Sequence, residues 1–265
     1  ERTIVMVEEL AVPSVEEKFI FDLDGYIVIK DVLSVDEVDE LNTIADEKMS
    51  QVSGKGGYRN VRRPSTWGLP YQRLLDHPKI MPYLLAFLGP KVRIDHDYSI
   101  FMQKGAKRGG LHGGDNGHEG DHWYKYRDGV IRTGLTVVTF FTAPARKGDG
   151  GFACIPGTHK TNFLNGIPRD VRAFERSAHY VVQPEVEAGD ALIFTEALVH
   201  GTMPWMGDHE RRAFLNKYSP GHSSWANTYY DLDDYENLTE QQIRLMAAPS
   251  IGKRPNTVQV EENAV

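Results

Sequence analysis

The 265 residues carry a formal net charge of −7, 25 glycines and one cysteine, Cys154. That is enough chain for one large domain. It is too acidic for a general nucleic-acid binder or a protein held on an anionic membrane, and it cannot form an internal disulfide. No apolar run approaches the ~18 residues of a membrane-spanning helix and the opening residues lack a signal-peptide pattern, so a reducing, cytoplasmic setting is expected.

Residues 1–13 read as an extended lead-in. Ser14-Val15-Glu16-Glu17 has capping-box form and predicts a short helix. Asp24-Gly25 then turns the chain into Tyr26-Ile27-Val28-Ile29, a β-rich run. Ser34-Val35-Asp36-Glu37 is a second capping box, followed by Val35, Val38, Leu41, Ala45 and Met49 at helical spacing, up to a glycine-rich loop at 53–57. Arg59, Arg62, Arg63 and Trp67 fall in 58–78, read as a solvated basic face in preference to a substrate-facing loop. A helix over 80–88 is closed by Gly89-Pro90. Strand-like runs fill 91–103, before a glycine-rich segment at 105–120. Residues 131–141, with Thr and Val alternating, make the strongest strand signal. Further strands are expected at 152–155, 181–186, 191–195 and 212–218, separated by Gly- and Pro-rich turns. Thr239 caps a last helix through Met246, and 249–265 read as a polar tail.

Many short strands behind helices at the front predict a mainly β fold with peripheral helices, a sandwich or jelly-roll barrel. The expected organisation is a single domain over 1–265. It has a helical and strand lead-in at 14–90, a core at about 91–220 and a C-terminal helix and tail at 236–265.

Three short segments hold the residue types of a metal site: Leu111-His112-Gly113-Gly114-Asp115, Val199-His200-Gly201-Thr202 and Glu210-Arg211-Arg212. Two imidazoles and a carboxylate on one face of Fe(II) leave open positions for a co-substrate and O2. An Arg one strand later can fork onto a carboxylate of that co-substrate.

The residues 21–34 (Phe21-Asp22-Leu23-Asp24-Gly25-Tyr26 through Ser34), Leu88-Gly89-Pro90, Gly150-Gly151-Phe152 through Pro156-Gly157-Thr158-His159-Lys160, and Ala188-Gly189-Asp190 through His200 to Arg211 stand in a characteristic order. In that order and spacing the chain resembles the phytanoyl-CoA dioxygenase family of Fe(II)/2-oxoglutarate oxygenases over most of 19–218. The resemblance implies a double-stranded β-helix, a cupin-like jelly roll. It also implies oxidative decarboxylation of 2-oxoglutarate by O2, giving succinate and CO2, coupled to hydroxylation of a small-molecule substrate. His112 and His200 take the positions of the family's two metal-binding histidines, and Arg211 that of the 2-oxoglutarate arginine. Arg212, its neighbour, would face the other way along a strand. Thr202 matches a hydroxyl position beside the co-substrate, and Gln103 a polar position near it.

The family pattern His-x-Asp expects an Asp at 114, where this chain has Gly114 and places its acid at Asp115. Three readings stand open. A glycine bulge brings Asp115 to the iron; Gly114 leaves a ligand position empty, as in the related halogenases, with room for chloride; or a later acid such as Glu119 or Asp121, or water, supplies the oxygen. The metal set is taken as His112, Asp115 and His200. The segment 112–127, rich in His, Tyr and Trp, is read as a lid over the substrate; His159 is read as structural. Two rival classes are a non-catalytic jelly-roll binding protein and a zinc hydrolase, and the H-E-x-x-H cluster of the latter is absent.

Overall fold

The computed structural model describes residues 13–114 and 120–259. The helix α1 (Val15–Asp24) starts at a complete capping box. Ser14 accepts from the Glu17 amide at 3.2 Å, and Glu17 accepts from the Ser14 amide at 2.7 Å. Gly25, left-handed, ends it and hands the chain to strand β1 (Tyr26–Ile29). The same device at Ser34 and Glu37 opens α2 (Val35–Met49), whose Val38, Leu41, Ala45 and Met49 are buried at the spacing read from sequence. Strand β2 (Tyr58–Arg62), the short α3 (Leu69–Gln72) and α4 (Met81–Leu88) follow, then strands β3 (Arg93–Met102), β4 (Tyr124–Arg127), β5 (Val130–Thr133), β6 (Thr136–Phe141) and β7 (Gly151–Cys154). The short α5 (Arg169–Arg172), strands β8 (Ala191–Thr195), β9 (His200–Met203) and β10 (Arg211–Ser219), and α6 (Glu240–Met246) complete the order.

Six strands form one antiparallel sheet in the order β1-β8-β6-β10-β3-β2. A smaller layer is built on the β7–β9 pair and widened by isolated bridges from His112 to His200 and from Cys154 to Val182. The two layers make the jelly roll. Along β10, Ala213 and Leu215 turn into the space between the layers, with Ile100, Val137, Leu192 and Phe194. Phe214 turns outward beneath the helices, where Trp67, Tyr71 and Phe101 meet it edge-on with ring centroids 6.2, 4.9 and 5.7 Å away. Such contacts add modestly to the area that these rings bury.

Four expectations need correction. The core expected at about 91–220 begins earlier, because β1 and β2 of the 14–90 lead-in are the two edge strands of the large sheet. The strand expected over 131–141 breaks at Gly134 and Leu135, whose amides bond to Trp123 and Asp121 and turn the chain from the β4–β5 hairpin into the large sheet. The strand expected over 181–186 reduces to two bridges on either side of Pro184, which has no amide hydrogen to offer a ladder. The tail is not merely a solvated end. Arg254 and Thr257 are buried, with Arg254 donating to the carbonyls of Lys91, Val92, Arg244 and Leu245 and Thr257 Oγ1 to that of Val92. Among the described residues no helix is long and apolar enough to cross a membrane.

Candidate active site

His112 and His200 face each other across the smaller layer. Each amide donates to the other's carbonyl, at 2.8 and 2.9 Å, and the ring centroids are 4.4 Å apart. In both residues Nδ1 is tied to a main-chain carbonyl two residues back: Gly110 at 3.0 Å for His112, Leu198 at 2.8 Å for His200. That bond spends the Nδ1 hydrogen and leaves the Nε2 lone pair as the free donor, which is how metal-ligating imidazoles are commonly oriented. His200 is buried and packed against Phe194 and Phe152, while His112 is exposed. Burial lowers the His200 pKa to about 4, with Glu196 opposing the shift and His112 adding to it.

Arg211 lies on the interior face of β10, 3 % exposed, opposite Met102 of β3. Its Nε is buried without a hydrogen-bond partner, and Nη1 reaches only Met102 Sδ at 4.0 Å. Among the described residues no carboxylate pairs with it. Burial lowers its pKa to about 10, partly offset by Tyr98 and reinforced by Arg108. The arginine passes over Gly151, where a Cβ would stand 2.9 Å from its Nε. A buried guanidinium without a counter-ion is costly, so this cradle is one that an anionic ligand completes. Arg212 points to the opposite face as strand geometry requires, pairing with Glu210 at 3.1 Å and Asp46 at 2.5 Å. Thr202 is two residues from His200 on β9, hence on the same face, and is paired in register with Phe152.

The remaining expectations divide. Gln103 is exposed and donates to Glu210 at 2.7 Å on the outer side, away from the Arg211 face. Asp115 and Glu119 lie outside the described residues. Asp121 is buried and accepts from Ser219 and Ser223, each at 2.7 Å. Gly114 is left-handed (φ +76°), and a Cβ there would point at Val199 Cγ2, 2.4 Å away, and at Leu164. Val199 belongs to a separate apolar cluster with Leu111, Ile155 and Val171. The direction vacated by the missing side chain is therefore not an opening beside the histidines, and that geometry removes the argument for a chloride pocket at Gly114. Of the expected lid, Tyr124 is anchored by its hydroxyl to Asp22, and Tyr126 is exposed. Arg59 pairs with Glu210 and Arg63 with Asp234, so neither faces the interior unpaired.

Two charged residues of the interior, Glu196 buried and Lys217 partly buried, went unnoticed in the sequence. Glu196, 3 % exposed, places Oε2 3.6 Å from His200 Nε2 and 4.0 Å from His122 Nε2, and Oε1 2.7 Å from Lys217 Nζ. Burial is the largest single influence on Glu196 and opposes its ionisation, but Lys217, His200 and His122 together outweigh it and hold the carboxyl well below the usual carboxylate range. Lys217 shares the interior face of β10 with Arg211 and lies over the Tyr98 ring at 5.5 Å. A period-two reading from Arg211 along β10 (211, 213, 215, 217) would have found Lys217.

The sequence profile of the family described as phytanoyl-CoA dioxygenase matches residues 21–213. The chain belongs to the phytanoyl-CoA dioxygenase family. As a member it is an iron- and 2-oxoglutarate-dependent dioxygenase with a jelly-roll fold, as the residues quoted from the sequence implied. No curated protein matches in sequence. Solved structures agree on the fold. HygX from Streptomyces hygroscopicus with nickel and 2-oxoglutarate bound superposes with a TM-score of 0.72 at 21% identity, covering 80% of this chain and 90% of its own. EctD from S. alaskensis with 2-oxoglutarate and 5-hydroxyectoine gives 0.61 at 18% over 81% and 78%. The carbocyclase SnoK from nogalamycin biosynthesis gives 0.59 at 18% over 79% and 85%.

Proposed function

We propose that this dioxygenase hydroxylates a small-molecule substrate, with His112 and His200 holding Fe(II) through Nε2 and Arg211 holding the distal carboxylate of 2-oxoglutarate. The observation that carries this reading is the Arg211 guanidinium. It is buried, lacks a carboxylate partner among the described residues, and lies on the same interior face as Lys217, which reaches the His200 neighbourhood through Glu196. When bound, the iron and the keto acid supply the oxidising chemistry. The chain's own groups position and shield. The two carbonyl-anchored imidazoles fix the ligand nitrogens, and Phe152 and Phe194 wall one side with apolar surface. The Gly151 cradle lets the guanidinium reach the co-substrate. Thr202, two residues along β9 from His200, would donate its hydroxyl to the same ligand.

The substrate class is a small molecule. HygX with hygromycin B bound and EctD with 5-hydroxyectoine bound have the same fold, and the exposed His112 leaves one side of the site open to such a ligand. The free, buried Cys154 fits a reducing cytoplasm. The test is an anaerobic titration of metal-free protein with Fe(II) and 2-oxoglutarate, following the weak visible charge-transfer band of the chelate. The band is expected in the parent and lost in His112→Ala and His200→Ala; its absence from the parent overturns the reading.

A further inference from the structure

We propose that Glu196 supplies the oxygen ligand of the metal centre, in place of the acid that the His-x-Asp pattern puts beside the first histidine. The inference rests on the iron site proposed above and names its third protein ligand. Glu196 follows β8 and stands four residues before His200, so it enters the site from the second histidine's side.

The separation of Glu196 Oε2 from His200 Nε2 points to an ion between them. His200 Nδ1 is committed to the Leu198 carbonyl, so Nε2 of the neutral ring presents a lone pair, and Oε2 presents another. Two acceptors face each other 3.6 Å apart. That is too long for a direct hydrogen bond. It is also too short for a bridging water, which with two bonds of ~2.8 Å at a tetrahedral angle spaces its partners by about 4.5 Å. A small cation with bonds of about 2.1 Å spaces two ligands by about 3.0–3.4 Å. Among the described residues no three His, Cys, Asp or Glu side chains stand as a ready-made metal site, and the 3.6 Å separation is a few tenths of an ångström wider than that spacing, so Oε2 must move inward when the ion binds. Lys217 binds the other oxygen, Oε1, at 2.7 Å and leaves Oε2 turned to the His200 imidazole, with His122 Nε2 farther off at 4.0 Å. The rival at Gly114 fails on direction, since a Cβ there points at Val199.

The test is anaerobic titration of metal-free protein with Co(II), reading both the dissociation constant and the visible d–d bands that report coordination. Variants are Glu196→Gln, Glu196→Gln with Lys217→Met to avoid an unpaired buried ammonium, and Asp115→Asn. The expected result is a loss of about 100-fold or more in Co(II) affinity, with altered bands, in both Glu196 variants, and parent behaviour in Asp115→Asn; outer-sphere partners alone commonly cost 10–100-fold. Parent-like affinity and bands in the double variant, or a loss of affinity in Asp115→Asn that matches the Glu196 variants, overturns the assignment while leaving the oxygenase reading intact. A parent protein that binds no Co(II) overturns both.

Discussion

His112 and His200 exchange both main-chain hydrogen bonds across the smaller layer, so one β-bridge fixes the spacing of the two imidazoles before any metal arrives. The 87 residues between them include β4 to β8, and the bridge therefore forms only when the two layers have closed on each other. The site is thus a product of the whole fold, and a metal that binds both rings stabilises the folded chain by mass action.

Arg211 and Arg212, adjacent in sequence, are expected to behave as different residues. Arg211→Met should weaken 2-oxoglutarate binding to the Fe(II) form by roughly 30- to 100-fold, since hydrogen bonds to a charged group are worth about 1.5–3 kcal/mol. Arg212→Met should leave that affinity within about twofold, because its guanidinium lies outside with Glu210 and Asp46. Anaerobic calorimetry on both variants decides it. Equal losses would mean that the interior face of β10 is not the co-substrate's.

Gly114→Asp restores the family's His-x-Asp pattern in sequence but not in space. The left-handed backbone and the 2.4 Å approach to Val199 Cγ2 predict destabilisation of about 2 kcal/mol or more, and no gain in metal affinity. Urea unfolding and Co(II) titration of the variant measure the two effects. For the same reason the chelate band of the parent should not shift with added chloride. A tenfold tighter metal, or a chloride-dependent band, would show that position 114 opens on the iron.

Much of this was legible because local chemistry and fold agree. The capping boxes at Ser14, Ser34 and Thr239 started helices where they were read, and His112, His200 and Arg211 stood in recognisable short motifs. What sequence concealed depends on partners far along the chain. Glu196 reads as one acid after an apolar strand until Lys217 and His200 are folded against it. Arg254 reads as tail until the carbonyls around Val92 and Leu245 collect its hydrogens. Gln103 misled because one step along a strand exchanges inside for outside, and it lies on the outer side.

The tail should matter to stability more than its composition suggests. Arg254→Ala removes a buried guanidinium that satisfies carbonyls at the end of α6 and the start of β3, leaving those oxygens without their donor. A loss of about 3 kcal/mol in unfolding free energy is expected, with 2-oxoglutarate affinity unchanged. Denaturant melts give the first number and calorimetry the second. A loss under about 0.5 kcal/mol would show the tail to be a passive strap.

His159 predicts an acid-side loss of stability. It is fully buried, its Nε2 donates to the Asp22 carbonyl at 3.0 Å and Tyr124 meets the ring edge-on; burial first, then Lys160, lowers its pKa to about 4. In the unfolded chain an ordinary His has a pKa of about 6.5. Between these values the unfolded state binds the proton and the folded state does not, so stability falls as pH drops from about 6.5 toward 4 and the loss levels off below. Its share between pH 7 and 5 is about 2 kcal/mol. Unfolding measured at both pH values in the parent and in His159→Gln should show the variant losing about 2 kcal/mol less than the parent. His200, also lowered to about 4, contributes a similar drop in the metal-free protein, and that drop remains in the variant. Equal pH slopes in the two proteins would mean that His159 is charged, or exposed, when folded.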